Sequence, residues 1–338
     1  MKALLVNADY EIALFEGRPA PKIVNQSLEF LALFLEQKPL FSTKKYSQDY
    51  LDYVEAISGH KPVIVASGPT ENWWGKLADL HLEQRLNSKI ESSKLLIDQG
   101  WDDHTFIIHS LDELQNLDDR LYLAKNPFGM SGQNFVTFNK CAVNKVEPLL
   151  KHGAVIVEPL FDRKYDFSHY VFSDGKRICY QNLVDDKFQY RGTVFNGGTT
   201  IQDLSFYSDV SQSEWKKFQE RVEAIIKHYR SIGATDGFSI DSFVYLERGE
   251  LKIRVMSEVN YRRTMGLVAH ELAQKYGNRW SCFLLGKTLN HKQVPVDPHL
   301  IQLSPGDTRF EMFFLSGGKE KFLELKRLLP DCQFSVEL

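Results

Sequence analysis

Charge of one dominant sign, paired cysteines and long apolar runs are all missing from this 338-residue chain. The formal net charge is −3, so no global basic surface argues for nucleic acid and no polybasic tail argues for an anionic membrane. The four cysteines, Cys141, Cys179, Cys282 and Cys332, lie far apart without a CxxC pair. That weakens zinc-site and redox-motif readings and fits a reducing, cytoplasmic setting. No apolar run approaches the ~18 residues of a membrane span. The stretch MKALLVNADYEIALFEG turns polar early and lacks a signal-peptide core. Internal repeats and low-complexity segments are also missing. Two enzyme motifs are near misses. Gly286-Lys287-Thr288 resembles the end of a P-loop, but Ser281 stands where its first glycine belongs. His270-Glu271 starts like a zinc-protease motif, but Gln274 stands where its second histidine belongs.

What is present fits a globular enzyme of two or three domains. Lys2–Asn7 and Pro62–Ala66 read as buried strands, with a helix over Asn25–Gln37 between them, which predicts a small α/β domain with a parallel sheet. Trp73 and Trp74 read as core caps rather than ligand platforms. Asn87–Gly100 reads as a helix, with Asn87 or Ser88 as N-cap and Gly100 just past its end. A compact unit of short strands and helices runs on to Ala154–Glu158 and is small enough to move as a lid. Within it, Lys125 precedes a glycine- and serine-containing loop, Asn126–Asn134. This is a weak phosphate-grip signal, since a lysine is a point charge and glycines let backbone N–H groups approach an anion. Gln189–Thr200 reads as a long loop in which Arg191 is the residue to test for substrate contact. Ser213–Ser231 reads as an amphipathic helix, followed by an antiparallel-rich α+β segment.

The most informative stretch is SIDSFVYLERGELKIRVMSEVNYRRTMG, Ser239–Gly266. It reads as two strands joined by the turn Glu247-Arg248-Gly249-Glu250, with Gly249 supplying a positive φ. Antiparallel pairing then brings Asp241 near Glu258 and Asn260. Glu258 and Asn260 are two apart on a strand and share a face, and Arg262 is the next residue on that face. Two carboxylates and an amide oxygen suit Mg²⁺, which takes one or two carboxylates together with waters and substrate phosphates. The bland alternative is a solvated hairpin end.

Order and spacing of these pieces resemble the ATP-grasp superfamily of carboxylate–amine ligases, such as D-alanine–D-alanine ligase and biotin carboxylase, over about Asn87–Gly266. The segment Glu258-Val259-Asn260-Tyr261-Arg262 is similar to that family's E-x-N-x-R signature. The resemblance implies an α/β domain over 1–86, a small lid over 87–157, and a C-terminal antiparallel-sheet domain over 158–338, with ATP between the last two. It implies Mg²⁺ (or Mn²⁺) on Asp241, Glu258 and Asn260, and phosphate contacts from Lys89, Lys125, Gly129, Ser131 and Gly132. Adenine would meet the hinge Glu158, Pro159 and Phe161, and ribose would meet Asp166. Arg262, with Arg191 or Arg263 as further candidates, would stabilise the transferring group. Ser88 departs from the family's usual aspartate, and Asn134 from a common glycine. The implied activity is an ATP-dependent ligase acting on small-molecule carboxylate and amine substrates, with a homodimer as a family-level expectation. A kinase on the same scaffold and a non-catalytic ATP-binding module are the alternatives.

Overall fold

The computed structural model describes residues 1–16, 23–102, 104–129, 135–287, 298–306, 308 and 310–328. Its strands form three sheets. The first contains β1 (Ala3–Leu5), β2 (Leu40–Phe41), β3 (Ile64–Val65) and β4 (Thr70–Asn72), all parallel, in the order β3-β2-β1-β4. The second contains β5 (Phe106–Ile108), β6 (Tyr122–Lys125), β7 (Phe135–Phe138) and β8 (Val155–Pro159), antiparallel, in the order β5-β8-β6-β7. The third is the largest: β9 (Arg163–Val171), β10 (Arg177–Val184), β11 (Tyr190–Asn196), β12 (Phe238–Glu247), β13 (Glu250–Asn260), β14 (Trp280–Lys287), β15 (Leu300–Gln302) and β16 (Phe310–Leu315). It is antiparallel, in the order β13-β12-β9-β10-β11-β14-β16-β15. A parallel N-terminal sheet, a small central sheet and a larger antiparallel sheet make up the layout that the ATP-grasp resemblance implies. Among the described residues no helix is long and apolar enough to cross a membrane.

Strand alternation divides the large sheet into two unlike faces. On one, Phe167, Val171, Cys179, Ile240 and Val244 pack with Trp215, Phe218, Val222 and Ile225 of helix Gln212–Ser231. On the other, Tyr170, Ile178, Tyr180, Phe195 and Phe283 join the core of the parallel sheet and helix Met265–Tyr276. That second face changes character along β9: two residues from Tyr170 stands Ser168, and two further stands Asp166. The apolar half docks the N-terminal elements, and the polar half is left for chemistry.

Several expectations are corrected. Asn25–Gln37 is not one helix but two short ones, Ile23–Gln26 and Leu31–Leu35. Between them the amides of Leu28 and Leu31 bond three residues back, to Asn25 and Leu28, and the segment is buried throughout, so tertiary packing overrides helical spacing. Gln189–Thr200 is mostly strand β11, paired on both sides. Gly192 belongs there because an added Cβ would collide with the carbonyl of Phe283 on β14. Trp73 and Trp74 are buried in the core, as expected. The last strand expected, Cys332–Val336, lies outside the described residues.

Candidate functional site

The hairpin turns through Arg248 and Gly249, both at positive φ (51° and 83°), the geometry of a two-residue connection. The resulting register sets Asp241 directly opposite Glu258. Asn260 Nδ2 donates to Asp241 Oδ2 at 2.8 Å, so the three expected metal residues converge. Asp241 Oδ1 accepts from Ser168 Oγ at 2.7 Å and from Ser239 Oγ at 2.9 Å. Burial, then the facing Glu258, pushes the Asp241 carboxyl up to about 6. Burial also acts against the Glu258 charge, but Lys89, with Lys125 and Arg262, holds that carboxyl below its ordinary value.

Lys89 reaches Glu258 from the helix Lys89–Asp98, Nζ to Oε2 at 2.6 Å. Ser88 caps that helix, its Oγ accepting from the Ile90 amide at 3.2 Å, which places Lys89 in the first turn. A cation there opposes the helix dipole. The position is tolerated because Glu258 compensates the charge and the Gly129 carbonyl accepts from Nζ at 3.0 Å. Burial alone would lower the Lys89 pKa, but Glu258 and Glu11 raise it overall.

Lys125, at the end of β6, sits 2.8 Å from Glu158 Oε1. Burial lowers its pKa despite that partner. Glu158 is held low because Lys125 and Arg254 outweigh its burial, and Arg254 also pairs with Asp102. The Glu158 side chain is therefore engaged within the protein, and its backbone lies within β8 opposite Leu123 of β6. Phe161 packs on Tyr245, ring centroids 4.7 Å apart. Asp166 accepts from Arg163 Nη1 at 3.2 Å, and burial, partly offset by Arg163, raises its pKa. The Arg163 guanidinium lies 3.9 Å from the Phe243 ring and 4.6 Å from that of Phe188.

Arg262 has a largely covered side chain, 9% exposed, set against Glu11, its Nε 2.9 Å from Glu11 Oε1 and its Nη2 on the same oxygen. Glu11 Oε2 is buried without a partner. The other two arginines have acid partners of their own. Arg191 is not on a loop but on β11, where Asp185 binds it at 2.5 Å and Gln189 at 3.2 Å. Arg263 pairs with Glu271 at 2.6 Å and lies 4.1 Å from the ring of Trp73. Ser131 and Gly132 lie outside the described residues.

Sequence reasoning missed Ser168, Ser239, Asn182 and Glu11. The first two had a usable signal, since Ser168 stands two residues from Asp166 and Ser239 two from Asp241 on the same strand face; Asn182 meets Asp166 only across strands. Glu11 had none, because its contact with Arg262 spans 251 positions.

The residues fit a divalent cation. Two partly buried carboxylates facing one another repel, and a cation between them would remove the cost. Among the described residues no three His, Cys, Asp or Glu side chains cluster to hold an ion alone, so water or phosphate oxygens would complete the shell. Two largely covered lysines, each 12% exposed at the side chain, approach from different elements and are the residues that would hold phosphate oxygens.

No protein-family model matches the chain, and no curated protein matches it. Solved structures do show likeness. N5-carboxyaminoimidazole ribonucleotide synthetase from Thermus thermophilus is 14% identical at a TM-score of 0.49, covering 100% of this chain and 99% of that one. N5-carboxyaminoimidazole synthetase from Staphylococcus aureus, complexed with ADP, is 12% identical at 0.48, covering 84% and 77%. L-amino acid ligase from Bacillus licheniformis is 11% identical at 0.45, covering 82% and 75%. Likeness at this level leaves reaction and substrate to be argued from this chain's own residues.

Proposed function

We propose that the chain is an ATP-dependent ligase that activates a carboxylate as an acyl phosphate and couples it to an amine, with an amino acid or peptide-like molecule as substrate. The observation that carries this reading is the convergence of Asp241, Glu258 and Asn260, with Lys89 seated on Glu258. Asp241, Glu258 and Asn260 would hold Mg²⁺ or Mn²⁺. Lys89 and Lys125 would exchange their present carboxylate partners for phosphate oxygens, assisted by Gly129, Ser131 and Gly132. At the hinge marked by Glu158, the Pro159 carbonyl and the Phe161 N–H would take the base, and Asp166 the ribose. Pro159 keeps the carbonyl that this needs, though it lacks an N–H. Bound Mg²⁺ would neutralise charge developing on the phosphates.

In the first step a substrate carboxylate oxygen forms a bond to the γ-phosphorus while the bond to the β-bridging oxygen breaks and ADP leaves with the electron pair. In the second, the amine nitrogen adds to the acyl carbon, phosphate departs with the C–O pair, and the surplus amine proton passes to solvent. Lys89, Lys125 and Arg262 act by position and charge, and no nucleophilic side chain is required. Water must be kept out between the steps, which is the task assigned to segment 87–157 as a lid over 158–338, with 1–86 on the substrate side. The reading requires neither nucleic acid nor membrane and suits a cytoplasmic enzyme.

The test is phosphate release from ATP with paired panels of carboxylic acids and amines. Glu258→Gln should lower turnover by at least about 100-fold, in line with the loss of a metal ligand. Turnover by that variant at the wild-type rate would remove the metal assignment. Phosphorylated product with no amine consumed would replace the ligase with a kinase.

A further inference from the structure

Asp241 is the end point of a row of hydrogen bonds that crosses four strands of the large sheet. It begins at Tyr190 on β11, whose hydroxyl lies 2.7 Å from Thr193 Oγ1. Thr193 Oγ1 lies 3.3 Å from Asn182 Oδ1 on β10. Asn182 Nδ2 lies 2.7 Å from Ser168 Oγ on β9, and Ser168 Oγ lies 2.7 Å from Asp241 Oδ1 on β12. Sheet register explains the alignment. Asn182 pairs with Thr193 on one side and with Asp166 on the other, one same-face step from Ser168, and Ser168 pairs with Asp241. Ser168 and Thr193 are buried, at 2% and 0% exposure.

The direction of the row follows from donor and acceptor counting. An ionised carboxylate only accepts, so the one proton of Ser168 is committed to Asp241. Ser168 Oγ must then accept from its other neighbour, which only the amide N–H of Asn182 can supply. Asn182 Oδ1 therefore faces Thr193, which donates to it, and Tyr190 donates to Thr193. Each donor polarises the next toward the carboxylate. Ser239 adds a second hydroxyl to Oδ1, and Asn260 gives one N–H to Oδ2. Each carboxylate oxygen has two lone pairs, so both on Oδ1 and one on Oδ2 are taken.

We propose that Ser168 and Asn182 are positioning residues for the ion. They hold Asp241 in its site-facing rotamer and leave one lone pair, on Oδ2, for single-oxygen coordination. This rests on the nucleotide and divalent-cation reading above. Partners behind a metal ligand commonly govern affinity by 10- to 100-fold, and among the described residues Asp241 is the one charged group that Ser168 bonds, while Asn182 bonds Ser168 and Thr193.

The test measures Mn²⁺ uptake by electron paramagnetic resonance, at saturating ADP, beside a thermal melt. Ser168→Ala should weaken Mn²⁺ binding about 10-fold or more, and Asn182→Ala about 3-fold or more. Ser168→Thr keeps the hydroxyl and should restore binding to within about 3-fold. A merely structural role would lower the melting temperature and leave Mn²⁺ affinity alone. Mn²⁺ affinity within about twofold of wild type in folded Ser168→Ala, or equal losses in the Thr and Ala variants, overturns the proposal. Should Ser168→Ala fail to fold, Asn182→Ala decides at a partly exposed position. Wild-type protein that takes up no Mn²⁺ with ADP overturns the nucleotide reading itself, before any substitution is made.

Discussion

Two charge clusters lie within one small region, and they are built in opposite ways. Around Glu158, two buried acids and two basic residues balance: Asp102 and Glu158 against Arg254 and Lys125. The acids are held low despite burial, because the cations outweigh it. At the hairpin end, Asp241 and Glu258 face each other, and only Glu258 has a lysine partner. Asp241 is left with neutral donors and a raised pKa. The balanced cluster is complete without a ligand, whereas the other gains from a cation. A cluster's worth as a site is therefore read from its unmet charge rather than from its number of charges.

The contrast predicts opposite stability effects. The largest belongs to the balanced cluster. Glu158→Ala would leave Lys125 and Arg254 buried without their shared acid, at a cost of about 3–5 kcal/mol. Urea unfolding measures it. A fully stable variant that had lost only nucleotide binding would move Glu158 into the functional cluster and erase the comparison. At the hairpin, Asp241→Asn removes a like charge. In metal-free protein it should raise stability by about 1 kcal/mol while abolishing Mn²⁺ uptake. A destabilised variant that still bound Mn²⁺ would show that Asp241 is structural.

What the sequence made legible follows the range of the interactions. Asp241 and Glu258 could be paired on paper because a two-residue turn fixes their register and Gly249 marks the turn. Lys125 carried a weak local signal at a strand end, whereas Lys89 was named only by the resemblance to the ATP-grasp family. Arg191 was misplaced because the glycines around it read as a loop, whereas Gly192 serves close strand approach to a residue about ninety positions away, Phe283. Glu11 could not be found at all, since its partner Arg262 meets it only through docking of the N-terminal elements on the large sheet. The donor row through Ser168 and Asn182 lies between these cases. Alternation puts each residue on the right face, but the order β12-β9-β10-β11 that joins them exists only after folding.

One buried group tests whether unmet polarity alone marks a site. His169 is one residue from Ser168 but points to the opposite face, where its ring packs 6.2 Å from that of Phe218. Both ring nitrogens are buried without a partner. Burial, with a smaller push from Arg177 against a pull from Glu223, lowers its pKa to about 4. The unfolded chain takes up this proton near pH 6.5, and the folded chain does so only near 4. Between those values the unfolded state binds more protons, so stability falls as pH falls through the window. His169→Leu removes that slope. Between pH 6.5 and 4, wild type should lose on the order of 2–3 kcal/mol more than the variant, with Mn²⁺ affinity at neutral pH equal in both. Equal acid losses would show that His169 finds a proton partner in the folded state. A drop in Mn²⁺ affinity would show that the two faces of β9 are coupled, and the division between a ligand-seeking face and a packing face would have to be redrawn.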